Sequence, residues 1–211
     1  MEFTDAELQQ YVEQHTKPES EVLKKLNRET HANVLRPRML SGHLQGRVLS
    51  MLSHMIKPKC ILEIGTYTGY SAICLAEGLA PEGKLITIDV NEELEEMVRR
   101  YFEDAGLAAC IDYMIGNAVE VVPTLDIQPD IVFIDADKAS YAAYFDMVID
   151  KMPSGAFIIA DNVLWSGKVV GEKVDKKTQA ILDFNKKVHN DERVENVLFP
   201  IRDGLMVMRK I

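Results

Sequence analysis

The sequence predicts a doubly wound α/β fold: a mostly parallel seven-stranded sheet with helices on both faces, an antiparallel C-terminal hairpin and a helical N-terminal extension. Two observations carry this. After Pro58, short apolar runs alternate with segments of helical periodicity, and that alternation builds a parallel sheet through right-handed crossovers. The last two apolar runs have no helix between them, so they must pair antiparallel. A length of 211 residues suits one domain, divided here into an extension (1–57) and an α/β core (58–211).

The elements follow in order. Thr4-Asp5-Ala6-Glu7 is a capping box that opens a first helix. Pro18 starts a second, with apolar Val22, Leu23 and Leu26. Ser41 caps a third, whose Leu44, Val48, Leu49, Leu52 and Met55 recur at helical spacing until Pro58 ends it. Strands are expected at Cys60–Ile64, Lys84–Asp89, Ile111–Ile115, Asp130–Asp135 and Ala156–Asp161. The helices between them are expected at Ser71–Leu79, from the Asn91 cap to Ala105, at Ala118–Leu125 and at Ser140–Met152. An amphipathic helix over Asp175–Asn190 precedes the closing strands Val194–Phe199 and Leu205–Arg209, joined around Arg202-Asp203-Gly204.

Charge and composition exclude several classes. Lys and Arg number 24 against 33 Asp and Glu, a net charge of −9. Nucleic-acid binding needs clustered cations to neutralise phosphates, and docking on anionic lipid needs the same sign. No apolar run reaches the ~18 to 20 residues of a membrane span. The acidic N-terminus does not read as a signal peptide. Cys60, Cys74 and Cys110 are sparse and odd in number, which fits reduced thiols in a cytoplasmic protein, each acting as a small hydrophobe.

In open α/β sheets, ligands bind outside the carboxyl ends of the strands. The first strand exits through Glu63-Ile64-Gly65-Thr66-Tyr67-Thr68-Gly69-Tyr70-Ser71, the second at Asp89, the fourth at Asp135-Ala136-Asp137-Lys138 and the fifth at Asp161-Asn162. A carboxylate at a strand end costs desolvation unless it binds something, and here all four exits are acidic. Gly65 and Gly69 let backbone approach a ligand ahead of a helix N-terminus. Asp89 stands where an acid accepts hydrogen bonds from ribose. Together they indicate an adenosine ligand, and both a dinucleotide and S-adenosylmethionine satisfy that. The loop reads G-x-x-x-G, not the dinucleotide fingerprint G-x-G-x-x-G.

Asp135, Asp161 and Asn162 supply three oxygen ligands suited to a hard divalent cation such as Mg²⁺. Asp137 should be aimed elsewhere. Lys138 follows Asp135 by three residues, and beside a divalent cation its ammonium form is disfavoured, which makes it a candidate general base.

At these residues the chain resembles a known family. ILEIGTYTGYSAICLAEGL, ITID, FIDADKASYAAYF, IIADNVLWSGKV and the closing DGL together resemble the cation-dependent catechol and caffeoyl-CoA type O-methyltransferases, from about Arg36 to Ile211. The resemblance implies a class I methyltransferase (Rossmann-like) fold with S-adenosylmethionine as methyl donor. It implies that Glu63, Gly65, Thr66, Tyr67, Gly69 and Ser71 line the donor loop and that Asp89 holds the ribose. Ser41 would contact the methionine end, Ala118 would lie near the adenine, and Asp137 would approach the donor amino group. Asp135, Asp161 and Asn162 carry over as ligands for Mg²⁺, or for Mn²⁺ or Ca²⁺, with Asp135 also bordering the donor. Lys138 carries over as the base, and Trp165 as a wall of the acceptor pocket. The implied acceptor is a small aromatic catechol-type molecule, and the implied assembly is a homodimer.

In that scheme the acceptor oxygen, methyl and sulfur lie in line. Both catechol oxygens chelate the ion, and Lys138 takes the proton. The chain departs from the family in two places. An apolar stretch around Val197 and Leu198 stands where animal catechol enzymes carry a glutamate, and Arg202 replaces a glycine before DGL. Arg36, Arg38 or Arg202 could select carboxylated catechols, or could lie solvated or at a subunit contact. Two other classes remain: a nicotinamide oxidoreductase, and a non-catalytic donor-binding module that would leave Asp135, Asp161 and Asn162 without a role.

Overall fold

The computed structural model describes residues 6–211. Its sheet has seven strands: β1 (Cys60–Ile64), β2 (Lys84–Asp89), β3 (Ile111–Ile115), β4 (Ile131–Ile134), β5 (Phe157–Asp161), β6 (Val194–Phe199) and β7 (Leu205–Lys210). Their order across the sheet is β3-β2-β1-β4-β5-β7-β6. The first five run parallel, and β7 lies antiparallel between β5 and β6. The order reverses between β1 and β4, so the crevice for a ligand falls at the carboxyl ends of those two strands.

Each central strand feeds two cores by alternation. Val132 and Ile134 of β4 face one side, and Ile131 and Phe133 face the other. All four are fully buried, which is why the strand reads as a continuous apolar run. Helices α6 (Ala118–Val121), α7 (Tyr141–Ile149) and α8 (Lys176–His189) cover the first side. The second is covered by α2 (Glu21–Asn33), α3 (Gly42–Ile56), α4 (Tyr70–Ala76) and α5 (Glu95–Asp104). Helix α1 (Ala6–Gln14) precedes them. Thr4 and Asp5 of the expected capping box lie outside the described residues. Cys74 is buried, Cys60 and Cys110 are half-buried, and all three are thiols. Among the described residues no helix is long and apolar enough to cross a membrane.

Several boundaries move for local reasons. Helix α2 starts after Ser20, whose hydroxyl accepts from Leu23 N–H, and not at Pro18. Ser41 already has helical backbone angles and its hydroxyl caps nothing, because a side-chain cap needs an extended residue. Asn91 caps a 3₁₀ turn (Glu92–Leu94) that leads into α5. A second 3₁₀ turn (Lys138–Ser140), capped by Asp137, leads into α7. Asp130 falls outside β4 because its carboxylate accepts from the Lys59 and Cys60 amides and ties down the start of β1. The 3₁₀ segment Trp165–Val170 was not anticipated.

The largest correction concerns α3. Leu49 of the expected apolar stripe is buried and Val48 and Leu52 pack half-buried against the core, but the rest of the buried face is Gln45, Gly46, Ser50 and Ser53. A Cβ on Gly46 would stand 2.6 Å from the Tyr70 ring, so helix contact with α4 requires small residues. Arg47 and Ser50 meet there in a half-buried cluster, both donating to the Glu77 carboxylate.

Candidate active site

The floor of the crevice is the turn after β1. Gly65 takes φ +103°, and a Cβ there would run into the Asp135 backbone carbonyl. A side chain is therefore excluded both by conformation and by space. The Gly65 amide donates to Ile88 O at 2.9 Å, and the Asp135 amide donates to Ile64 O at 2.9 Å, so β1, β2 and β4 converge on this point. Asp89 accepts from the Tyr67 amide at 2.7 Å and from the Asn91 amide at 2.9 Å. Gly116 N–H, just ahead of Ala118, donates to Asp89 O at 2.8 Å and sets the β3 end beside it. Gly69, at φ +86°, opens α4. The resulting cleft is lined by Leu40, Ser41, Gly65, Thr66, Tyr67, Ser71 and Asp135 among others.

The N-terminal segment forms the outer wall of that cleft. Tyr67 O–H lies within reach of the Leu35 and Arg36 carbonyls, at 3.0 and 3.3 Å. Tyr70 O–H donates to Glu19 at 2.5 Å, and Thr30 O–H donates to Thr68 at 3.2 Å. Arg100 and Tyr101 both donate to Glu29 at 2.6 Å. Arg36 and Arg38 are exposed.

Glu63 is fully buried two residues before Gly65. Thr87 O–H donates to its Oε2 at 2.5 Å, with Thr66 hydrogen-bonded to Thr87 in turn, while Oε1 has no hydrogen-bond partner. Burial pushes its carboxyl up to about 8, against the weaker opposing polarity of the Ser71 and Thr87 hydroxyls. An orphaned acceptor beneath a glycine turn fits a ligand that brings its own donors or positive charge.

The second half of the site lies at the ends of β4 and β5. Ile134 pairs with Ala160, so Asp135 and Asp161 leave adjacent strands side by side. Asp161 is buried, accepts from Gln45 Nε2 at 2.6 Å and from the Asn162 amide at 2.6 Å, and is pushed up to about 7. Burial is the main cause and the Asp135 charge the next. Asn162 follows in a left-handed conformation (φ +60°). Among the described residues no cluster of three or more His, Cys, Asp or Glu forms. The set here is two carboxylates and an amide, and its all-oxygen chemistry fits a hard divalent ion.

Lys138 Nζ donates to Asp135 Oδ1 at 2.9 Å and to the Tyr141 hydroxyl oxygen at 2.5 Å. Tyr141 is buried and donates in turn to Asp161 O at 3.0 Å. Asp137 points away from this group: it caps the 3₁₀ turn and accepts from Tyr144 O–H at 2.7 Å. Trp165 is half-buried in a run of left-handed residues with Ser166 and Gly167, and its Nε1 has no hydrogen-bond partner. The Arg202 guanidinium reaches the opposite wall, donating to the Leu40 and Ser41 carbonyls.

The structure thus gathers Ser41, Gly65, Thr66, Tyr67, Ser71 and Asp135 at one cleft, with Glu63 beneath it. It groups Asp135, Lys138 and Asp161 beside it. Sequence reasoning missed Gln45, Tyr141 and the Thr66–Thr87 pair. A polar residue beside a glycine on the inner line of α3 was the one available signal for Gln45.

Strand order, glycine turn and acidic strand ends define a class I methyltransferase. A family model described as O-methyltransferase matches residues 12–211. Caffeoyl-CoA O-methyltransferase 1 of Arabidopsis thaliana is 34% identical over 180 residues, covering 79% of this chain and 70% of that protein. Caffeoyl-CoA O-methyltransferase 2 of Eucalyptus globulus is 35% identical over 181 residues, covering 79% and 73%. Among solved structures, the SAH-bound methyltransferase PaMTH1 of Podospora anserina superimposes with a TM-score of 0.89 at 25% identity, covering 97% of this chain and 94% of that one. The O-methyltransferase TomG of Streptomyces achromogenes in complex with SAM gives 0.87 at 28%, covering 97% and 96%. The chain belongs to the O-methyltransferase family of the caffeoyl-CoA type.

One consequence concerns pH. The native Glu63 carboxyl keeps its proton up to about pH 8, whereas the unfolded chain loses it near its ordinary value of 4.5. Stability of the donor-free protein therefore falls as pH rises through that window. Glu63→Gln is expected to flatten this slope, read as urea midpoints at about pH 5 and about pH 8.

Proposed function

We propose that the protein transfers the methyl group of S-adenosylmethionine to one hydroxyl of a vicinal diphenol, with Mg²⁺ or another divalent cation as a required ion. The observation that carries this is the placement of Asp135, Asp161 and Asn162 at adjacent strand ends beside Lys138. When bound, a divalent ion supplies Lewis acidity to a hydroxyl beside it. Asp135, Asp161 and Asn162 would hold it. The donor loop from Glu63 to Ser71, with Asp89 on the ribose side, Ser41 and Ala118, would hold sulfur and methyl. Trp165 would wall the acceptor, so that oxygen, methyl and sulfur lie in line.

Lys138 Nζ would take the hydroxyl proton as the oxygen–carbon bond forms and the carbon–sulfur bond breaks. The resulting ammonium has acceptors waiting in Tyr141 Oη and Asp135 Oδ1. Tyr141 turns its own hydrogen toward the Asp161 carbonyl, which leaves a lone pair for Lys138.

The acceptor can carry more than a free ring. Lys168 and Lys173 line a concavity after Trp165 together with Glu172 and Asp175, and Lys168 pairs with Asp175 at 3.6 Å. The plant relatives are named for caffeoyl-CoA, and a phosphate-bearing ester of that kind is the second acceptor of this reading beside a free diphenol. We extend the proposal to a homodimer, since Met51 (62% exposed) and Met55 (74%) on the outer side of α3 leave apolar surface uncovered.

Turnover with 3,4-dihydroxybenzoate or caffeoyl-CoA is expected to vanish with a chelator and return with Mg²⁺. Turnover that survives chelation overturns the metal part of this reading. Lys138→Ala is expected to lower kcat by about 10²–10⁴-fold while calorimetry shows donor affinity unchanged. Light scattering is expected to give twice the chain mass, and Met51→Glu with Met55→Glu to return it to the monomer value.

A further inference from the structure

Gln45 is fully buried on α3, and its amide spans two charged groups of opposite sign. Its Nε2 donates to Asp161 Oδ2 at 2.6 Å, and its Oε1 faces Arg202 Nη1 at 3.5 Å. These neighbours fix which end of the amide is which: the cation requires the oxygen, and the carboxylate requires the nitrogen. The same Arg202 nitrogen is held by the Leu40 and Ser41 carbonyls, so the far end of the relay is anchored. The other Asp161 oxygen, Oδ1, is held by the Asn162 amide.

We propose that Gln45, held by Arg202, is a positioning residue that sets the orientation of the Asp161 carboxylate for cation binding. A direct Arg–carboxylate fork would occupy both oxygens with two charge-assisted bonds and would compete with an incoming cation. Interposing a neutral amide leaves one single bond on Oδ2 and keeps the arginine charge one side chain away. The carboxylate is oriented and partly compensated, yet lone pairs on both oxygens stay open. The relay also joins three parts of the chain far apart in sequence: α3, the end of β5 and the β6–β7 turn. This inference rests on the reading of Asp161 as a metal ligand.

The test is calorimetric titration of Mn²⁺ into the full-length protein, with SAH affinity and metal-free thermal midpoint measured alongside. Gln45→Met keeps the volume and removes both polar ends. It is expected to weaken Mn²⁺ binding by about ten- to hundredfold while SAH affinity holds. Arg202→Met, made on an exposed residue, is expected to weaken it in the same direction but less, because the amide stays in place. Asp161→Asn separates the two claims. If Asp161→Asn abolishes Mn²⁺ binding and both relay variants bind as the wild type does, the inference falls and the metal reading stands. If Asp161→Asn binds Mn²⁺ normally, or the wild type binds none, the metal reading falls and the inference with it. If Gln45→Met loses SAH and Mn²⁺ affinity together, with a collapsed thermal midpoint, and Arg202→Met binds Mn²⁺ normally, Gln45 is structural and the inference is overturned.

Discussion

The backbone of the β1 turn passes against the backbone at the end of β4, and the rest of the site depends on that approach. Gly65 is the hinge of the contact, since any side chain would meet the Asp135 carbonyl. Closing it places the Glu63–Ser71 loop on one side of Asp135 and the ends of β4 and β5 on the other. Asp135 consequently borders both halves. Its carboxylate receives Lys138, while its backbone supports the turn that shapes the cleft. A methyl-transfer enzyme needs two ligands in line within a narrow tolerance, and one shared rigid contact is an economical way to fix their separation.

The second constraint is electrostatic. Glu63, Asp135 and Asp161 crowd a small low-dielectric volume, and the buried Glu63 and Asp161 both hold their protons above the usual carboxylate range. Nearby hydroxyls, backbone amides and Gln45 satisfy part of that set and leave Glu63 Oε1 unmet. Such a cluster stores unfavourable energy in the ligand-free protein. A ligand carrying positive charge would relieve it.

The N-terminal helices are tied to this site, not merely packed beside it. Contacts from Glu19, Glu29, Thr30 and the 35–36 carbonyls fall on α4, α5 or the donor loop. Arg202 fastens the Leu40–Ser41 strap from the opposite side. The strap therefore forms a wall whose position depends on both ends of the chain.

Strand alternation, the glycine turn and the acids at four of the five parallel strand exits were all legible in the sequence, because each arises from local chemistry. Apolar runs make buried strands, glycine permits positive φ, and an acid leaving a strand stands out by its desolvation cost. The inward face of α3 was legible only in part. Periodicity marked Leu44, Val48, Leu49, Leu52 and Met55, of which Leu49 is fully buried, but close approach to α4 also selected Gln45, Gly46, Ser50 and Ser53. Ser41 and Pro18 misled for a related reason: capping depends on backbone angles that the neighbouring chain decides. The Asp161 partner Gln45 lies 116 positions away, and the Arg202 contacts span more than 150. By itself the sequence determined which residues could do chemistry and on which strand ends they stand. Tertiary structure alone decided which polar groups hold those residues in place, because burial and long-range packing choose hydrogen-bond partners that no local pattern encodes.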